Sequence, residues 1–157
     1  MTFSITTTSS EETESFGAAF AKALTPGSIV LLNGTLGMGK TTFVRGMLKA
    51  LGWREVRSPS FTLVNEYDST IPVAHADLYR LEKVDFRDLG LDEYSDDGWV
   101  VVIEWPERLT SVPKLEGFSV LFKGDEDDAF FRTIEVDPLD DVSRDLFDSL
   151  DLEDWRH

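Results

Sequence analysis

Eight residues beginning at Gly34 read Gly-Thr-Leu-Gly-Met-Gly-Lys-Thr and end on Lys40-Thr41. The pattern is G-x-x-x-x-G-K-[ST]. Its chemistry is phosphate binding. Glycines let successive backbone N–H groups converge on phosphate oxygens with no Cβ in the way. A helix that starts near Lys40 aims the positive end of its dipole at the same point. In this arrangement Lys40 reaches the β- and γ-phosphates and lies exposed, pointed at them. Thr41 offers its hydroxyl to Mg²⁺, and Thr42 contacts the α-phosphate.

Mg²⁺ takes octahedral oxygen coordination with one or two protein carboxylates. An acid at the end of a buried strand beside the loop is therefore expected, and two residues qualify. Glu104 closes Val100-Val101-Val102-Ile103-Glu104, four apolar residues and an acid. Asp77 closes the weaker run Val73-Ala74-His75-Ala76-Asp77. One can ligate directly while the other acts through water or as base for the attacking nucleophile; each can also be a charge where a strand surfaces. Trp105 follows Glu104, and on the strand period of two its ring points the opposite way. That places it in the core, or against a base or a partner surface. Ser58-Pro59-Ser60-Phe61-Thr62, downstream of the loop, reads either as a plain turn or as a switch whose hydroxyls close over the γ-phosphate. His75 reads as a hydrogen-bonded structural histidine. The only asparagines, Asn33 and Asn65, lie outside any N-K-x-D pattern, which favours ATP over GTP.

The elements that must hold these residues follow from periodicity. Ile29–Leu32 is a continuous apolar run, suited to a strand buried on both faces. Phe43, Val44, Met47, Leu48 and Leu51 recur at helical spacing, with Gly52 as a C-cap. Upstream, Ser9-Ser10-Glu11-Glu12 is a capping box that opens a helix carrying Phe16, Phe20, Ala23 and Leu24, stopped by Pro26-Gly27. Further strands are expected at 61–67, 73–77 and 99–103. One or two short helices are expected in 84–94 around Gly90. An antiparallel pair is expected at 119–122 and 131–136, turning at 124–128. A closing helix over 140–150 presents Val142, Leu146 and Leu150 on one face. The fold class is α/β: a single-domain P-loop NTPase fold with a central mixed sheet flanked by helices, antiparallel toward the C-terminus. The ATPase domain is placed at 1–136, and 137–157 is an acidic segment, helical, either part of that domain or a tail.

Composition narrows the chemistry. The chain has 157 residues and no cysteine, which excludes thiol catalysis and cysteine metal sites. Its two histidines, His75 and His157, exclude a multi-histidine centre. The net charge is −15, concentrated from Gly124 onward, where thirteen acids meet three arginines. Such a chain has little reason to hold duplex nucleic acid unaided. The acidic stretch suits a solvated surface or a cationic protein partner. No 18-residue apolar run exists, and the N-terminus lacks the marks of a secretory signal, so a cytoplasmic protein is expected.

The ordered motifs LNGTLGMGKTT (32–42), RSPSFTLVNEY (57–67), HADLYRL (75–81), LGLDEY (89–94) and VVIEWPERL (101–109) closely resemble the bacterial TsaE (YjeE) family over roughly 10–136. That family is the small ATPase subunit of the tRNA threonylcarbamoyladenosine machinery. The resemblance implies binding of ATP and Mg²⁺, weak hydrolysis alone, and docking on the partner subunits TsaB and TsaD, with tRNA met only through the complex. It implies a phosphate loop at Gly37, Met38, Gly39, Lys40, Thr41 and Thr42, and a Mg²⁺ pair at Thr41 and Glu104. It also implies an acid near the γ-phosphate at Asp77, a nucleotide-sensing Trp105, a nucleotide contact near the first helix cap at Ser10, and a late arginine at Arg132. Lys40, Asp77 and Glu104 are the catalytic candidates. Thr35, Met38 and Ser60 depart from the usual acid, alanine and threonine; Met38 can tighten the mouth of the loop.

Two other readings stay open. A small-molecule P-loop kinase needs a lid with arginines, and here Arg108 stands alone with Arg132 far downstream. A nucleotide-switched binding module with incidental hydrolysis needs ATP and ADP to favour different states.

Overall fold

A computed structural model describes residues 2–34, 39–53, 64–111, 116–125 and 127–150. Seven strands form one sheet in the order β1-β7-β6-β2-β5-β4-β3. They are β1 (Phe3–Thr7), β2 (Ile29–Asn33), β3 (Val64–Tyr67), β4 (Val73–Asp77), β5 (Val100–Glu104), β6 (Gly117–Gly124) and β7 (Arg132–Pro138). The centre, β6-β2-β5-β4, is parallel. Antiparallel pairs close both sides: β6–β7 and β7–β1 on one, β4–β3 on the other.

The central strands carry apolar residues on both faces because both faces are covered. Val30, Leu32, Val100, Val102 and Val120 face one cluster with Phe16, Phe20, Phe43 and Met47. Ile29, Val101 and Ile103 face a smaller one with Leu78, Phe86 and Leu91. The first cluster is held by α1 (Ser10–Phe20), α2 (Lys40–Ala50) and α4 (Asp141–Asp148); α3 (Leu91–Asp96) serves the second. Within the first, Phe20 meets Phe118 edge-on at 4.9 Å and Phe43 meets Phe122 at 5.3 Å. Each buried phenylalanine contributes roughly 1.5–3 kcal/mol.

The helix next to the phosphate motif is fixed by contact with α1. A Cβ at Gly46 would overlap the Glu14 carbonyl, and one at Gly17 the Phe43 carbonyl. The two backbones therefore touch, and only glycine permits it. At the expected capping box, Ser9 Oγ accepts from the Glu12 N–H at 3.1 Å, while Glu12 Oε1 accepts from the N–H of Thr8, one residue before the cap, at 2.7 Å.

The structure adds one strand, resolves one expectation and corrects another. The first strand, β1, has no counterpart in the sequence reading; its burial alternates along Phe3–Thr7 and it pairs with β7 from Phe3↔Val136 to Thr7↔Arg132. In 84–94 one helix forms, in line with the expectation: α3, starting after Gly90, preceded by a bridge from Val84 to Leu109 and turns. On α4, Val142 is 65% exposed, and the buried positions are Ser143 and Phe147, with Leu146 and Leu150 packed alongside. Phe147 is larger than Val142 and rotates the helix to reach Phe3, Phe20 and Phe118. Among the described residues no helix is long and apolar enough to cross a membrane.

Candidate functional site

Two strand ends and one helix start meet at one edge of the sheet. Register puts Leu32 of β2 and Asp77 of β4 level with Glu104 on either side. α2 begins at Lys40 directly after Gly39, whose φ is +94°. A Cβ at Gly39 would have ordinary room, 3.6 Å from Thr13 Cγ2 and 3.9 Å from Arg132 Nε. The left-handed backbone, not crowding, is what asks for glycine there.

Lys40 is buried, 4% exposed. This corrects the expectation of an exposed lysine. Its Nζ donates to the Gly34 carbonyl at 2.9 Å and lies 3.8 Å from Glu104 Oε1. Over it, 4.9 Å from Nζ, sits the ring of Trp105, an arrangement in which the ring quadrupole attracts the cation. Trp105 thus does not point away from the Glu104 neighbourhood. The strand ends at Glu104, and Trp105 takes φ +61°, so the period-two alternation is broken and its ring returns to Lys40. It is the one non-glycine residue with positive φ among the described residues. Strain of this kind, of order 1–3 kcal/mol, gathers at functional sites. Trp105 also packs on Tyr79 at 5.0 Å, and its indole N–H has no partner among the described residues.

Glu104 is almost wholly buried and is the electrostatic hub. Its Oε2 accepts from His75 Nε2 at 2.8 Å. Burial pushes its carboxyl up, but the hydrogen bond and charge of His75, with the charge of Lys40, outweigh burial and hold it below the usual 4.5. His75 is buried and hydrogen-bonded, as expected. Asp77 stands level with Glu104, and its Oδ1 accepts the Tyr79 N–H at 3.0 Å at the turn after β4.

A cleft of about 300 Å³ opens on this edge. It is lined by Gly39, Lys40, Thr41, Thr42 and Glu104 together with Ser10, Ala129, Phe130 and Arg132. The fold therefore brings Ser10, Gly39, Lys40, Thr41, Thr42, Glu104 and Arg132 to one cavity. Asp77 and Trp105 adjoin it without lining it. Gly37, Met38 and the stretch Ser58–Thr62 lie outside the described residues. Ala129 and Phe130 were not expected. The available signal was the doublet Phe130-Phe131 before Arg132 at a strand start, where one of two adjacent rings must face out; Phe130 is 65% exposed.

Chemically, a start-of-helix amide cluster, a lysine and two hydroxyls at one cleft form an anion cradle. Thr41 and Glu104 are its hard oxygen donors, and no group of three or more acids and histidines suited to a metal exists among the described residues.

A mixed sheet with a parallel centre, whose second strand leads through a glycine-rich loop into a helix, defines the P-loop fold. The chain matches the family model "Threonylcarbamoyl adenosine biosynthesis protein TsaE" over residues 7–133. It is 40% identical over 142 residues to the tRNA threonylcarbamoyladenosine biosynthesis protein TsaE of Nostoc sp. (87% of this chain, 86% of that one). It is 41% identical over 127 residues to the Bacillus subtilis protein of the same name, covering 78% of each. The crystal structure of Bacillus subtilis YdiB superposes with a TM-score of 0.73 at 30% identity, covering 94% of this chain and 93% of that one. The chain belongs to the TsaE family.

Proposed function

We propose that this protein is a Mg²⁺-dependent ATP-binding subunit with slow intrinsic ATPase activity, acting in the cytoplasm in formation of threonylcarbamoyladenosine on tRNA through a complex with TsaB and TsaD. The observation that carries the nucleotide reading is the cleft itself: Lys40, Thr41 and Thr42 at the start of α2, facing a buried carboxylate whose pKa is held down. The named relatives support the tRNA-modification role.

The residues fit their parts. The α2 amides and Lys40 bind the phosphates. To do so Lys40 exchanges the Gly34 carbonyl for phosphate oxygen, while Glu104 and Trp105 keep its ammonium in place. The Thr41 hydroxyl and Glu104 Oε1 fit Mg²⁺, which takes few protein ligands and shares phosphate oxygens and water. These two residues would hold the ion, which would supply neutralisation of the charge that grows on the phosphates. Ser10, Phe130 and Arg132 line the same cleft and are the residues available to the nucleoside. Arg132 is the single arginine lining the cleft among the described residues. An added positive group at the γ-phosphate is worth roughly 10³–10⁵ in rate, so a partner has room to stimulate.

The test is ATP turnover by the purified chain, alone and with the two partner subunits, at low and high salt. Slow turnover that the partners raise, more at low salt, is expected, since steering of an acidic chain onto a basic surface is screened by ions. Turnover alone equal to that of the mixture refutes the partner role. Absence of ATP binding refutes the nucleotide reading.

A further inference from the structure

His75 is the one residue at this edge with a close polar tie to Glu104 and no assigned part. Its ring is 1% exposed, and its contact to Glu104 is 2.8 Å. The other ring nitrogen, Nδ1, is buried with no hydrogen-bond partner among the described residues. Among the described residues the ring's polar tie therefore runs to Glu104 alone. A carboxylate has no proton to give, so the bond is Nε2–H donating to Oε2.

Position follows from topology. His75 and Glu104 lie on neighbouring parallel strands, with His75 level with Val102, two residues before Glu104. Period two puts His75, Val102 and Glu104 on the same face of the sheet. The histidine thus approaches the carboxylate from the sheet side and ties down Oε2. Oε1 is left turned toward Lys40 at 3.8 Å, and Lys40 lines the cleft together with Glu104. An untethered carboxylate could rotate about its last torsion, which is broad and nearly two-fold, or swing both oxygens onto the lysine.

We infer that His75 is a positioning residue that fixes Glu104 so that a single carboxylate oxygen faces the cleft for a divalent cation. The inference rests on the proposed metal role of Glu104. Partners that orient a ligand in this way commonly change metal affinity by about 10–100-fold when removed.

The test uses the full chain and a fluorescent ATP analogue, titrated with and without Mg²⁺. Thermal unfolding is followed alongside. His75→Leu removes the donor and is expected to raise the Mg²⁺ concentration for half-maximal nucleotide binding about tenfold or more. Nucleotide affinity in EDTA stays within about twofold, since the loop amides and Lys40 are untouched. His75→Gln carries an N–H near the place of Nε2 and is expected to restore the Mg²⁺ dependence. His75→Asn, too short to reach, is expected to behave like His75→Leu, and replaces it in the comparison if the leucine variant fails to fold. An unchanged Mg²⁺ midpoint in the Leu or Asn variant overturns the inference. Equal loss in Asn and Gln variants overturns it as well, since that marks a merely structural ring. A wild-type chain whose nucleotide binding ignores Mg²⁺ overturns the metal reading of Glu104 itself.

Discussion

Replacing Lys40 by methionine keeps the aliphatic stem and deletes the charge. If Lys40 were only an exposed phosphate hook, the ligand-free fold would not notice. The structure says otherwise. Nζ is 3.8 Å from Glu104 Oε1 in a site where both side chains are under a tenth exposed. At an effective dielectric of about 20, two unit charges at that distance attract by about 4 kcal/mol before desolvation is counted. Desolvation offsets much of this, and Glu104 keeps His75 after the substitution. A net loss of about 1–3 kcal/mol is expected, below the roughly 3–5 kcal/mol typical when a buried charge is left wholly unpaired. The measurement is urea unfolding of wild type, Lys40→Met, Glu104→Gln and the double variant without nucleotide. Neutralising Glu104 should hurt far less once Lys40 is gone, giving a coupling above about 1 kcal/mol. The acid side offers a second reading. Because the Glu104 carboxyl is held below 4.5 in the folded chain, its contribution is complete above that value and is lost as pH falls through the folded pKa. Lys40→Met should shrink this acid-side loss. A lysine variant as stable as wild type, with no coupling to Glu104, would refute the paired arrangement.

Gly46→Ala forces a Cβ into the Glu14 carbonyl and should cost about 1–3 kcal/mol or more in urea unfolding, with α2 displaced; wild-type stability would contradict the close helix contact. Phe130→Ala should weaken ATP binding by about 1–3 kcal/mol if the exposed ring at the cleft mouth stacks on the base, while inorganic triphosphate, having no base, should bind as before. Trp105→Phe should remove the nucleotide-dependent part of the emission, because the indole lies over the ammonium that must re-engage on binding; an unchanged difference spectrum would mean that another tryptophan reports.

The strands that run apolar on both faces were legible because nothing else needs such sequences: Ile29–Leu32 and Trp99–Ile103 each carry their burial in their composition. The motif residues were legible because phosphate chemistry tolerates few alternatives. What escaped was set by tertiary context. Phe3–Thr7 becomes a strand through the β7 edge, and five residues of weak alternation do not announce that. Val142 and Phe147 compete for the same core, and volume decides it. Trp105 illustrates the local limit: period two holds only while the strand lasts, and one left-handed residue ends it. The burial of Lys40 follows from Glu104 and Trp105, which lie outside the motif, closing around it together with the carbonyl of Gly34, the motif's first residue.

The cleft is assembled from distant parts of the chain. Ser10 and Arg132 share its wall because β1 lies along β7, with Thr7 level with Arg132. During synthesis the loop and α2 leave the ribosome long before Arg132 exists. A nascent chain can hold a glycine-rich turn and a lysine, yet the part of the lining that Arg132 supplies is missing until β7 is made and β1 docks on it. Such long-range closure is slow compared with local folding. On the proposed nucleotide role, capture is thereby tied to completion of the sheet, and a chain arrested short of β7 carries an unfinished cleft rather than a weaker one.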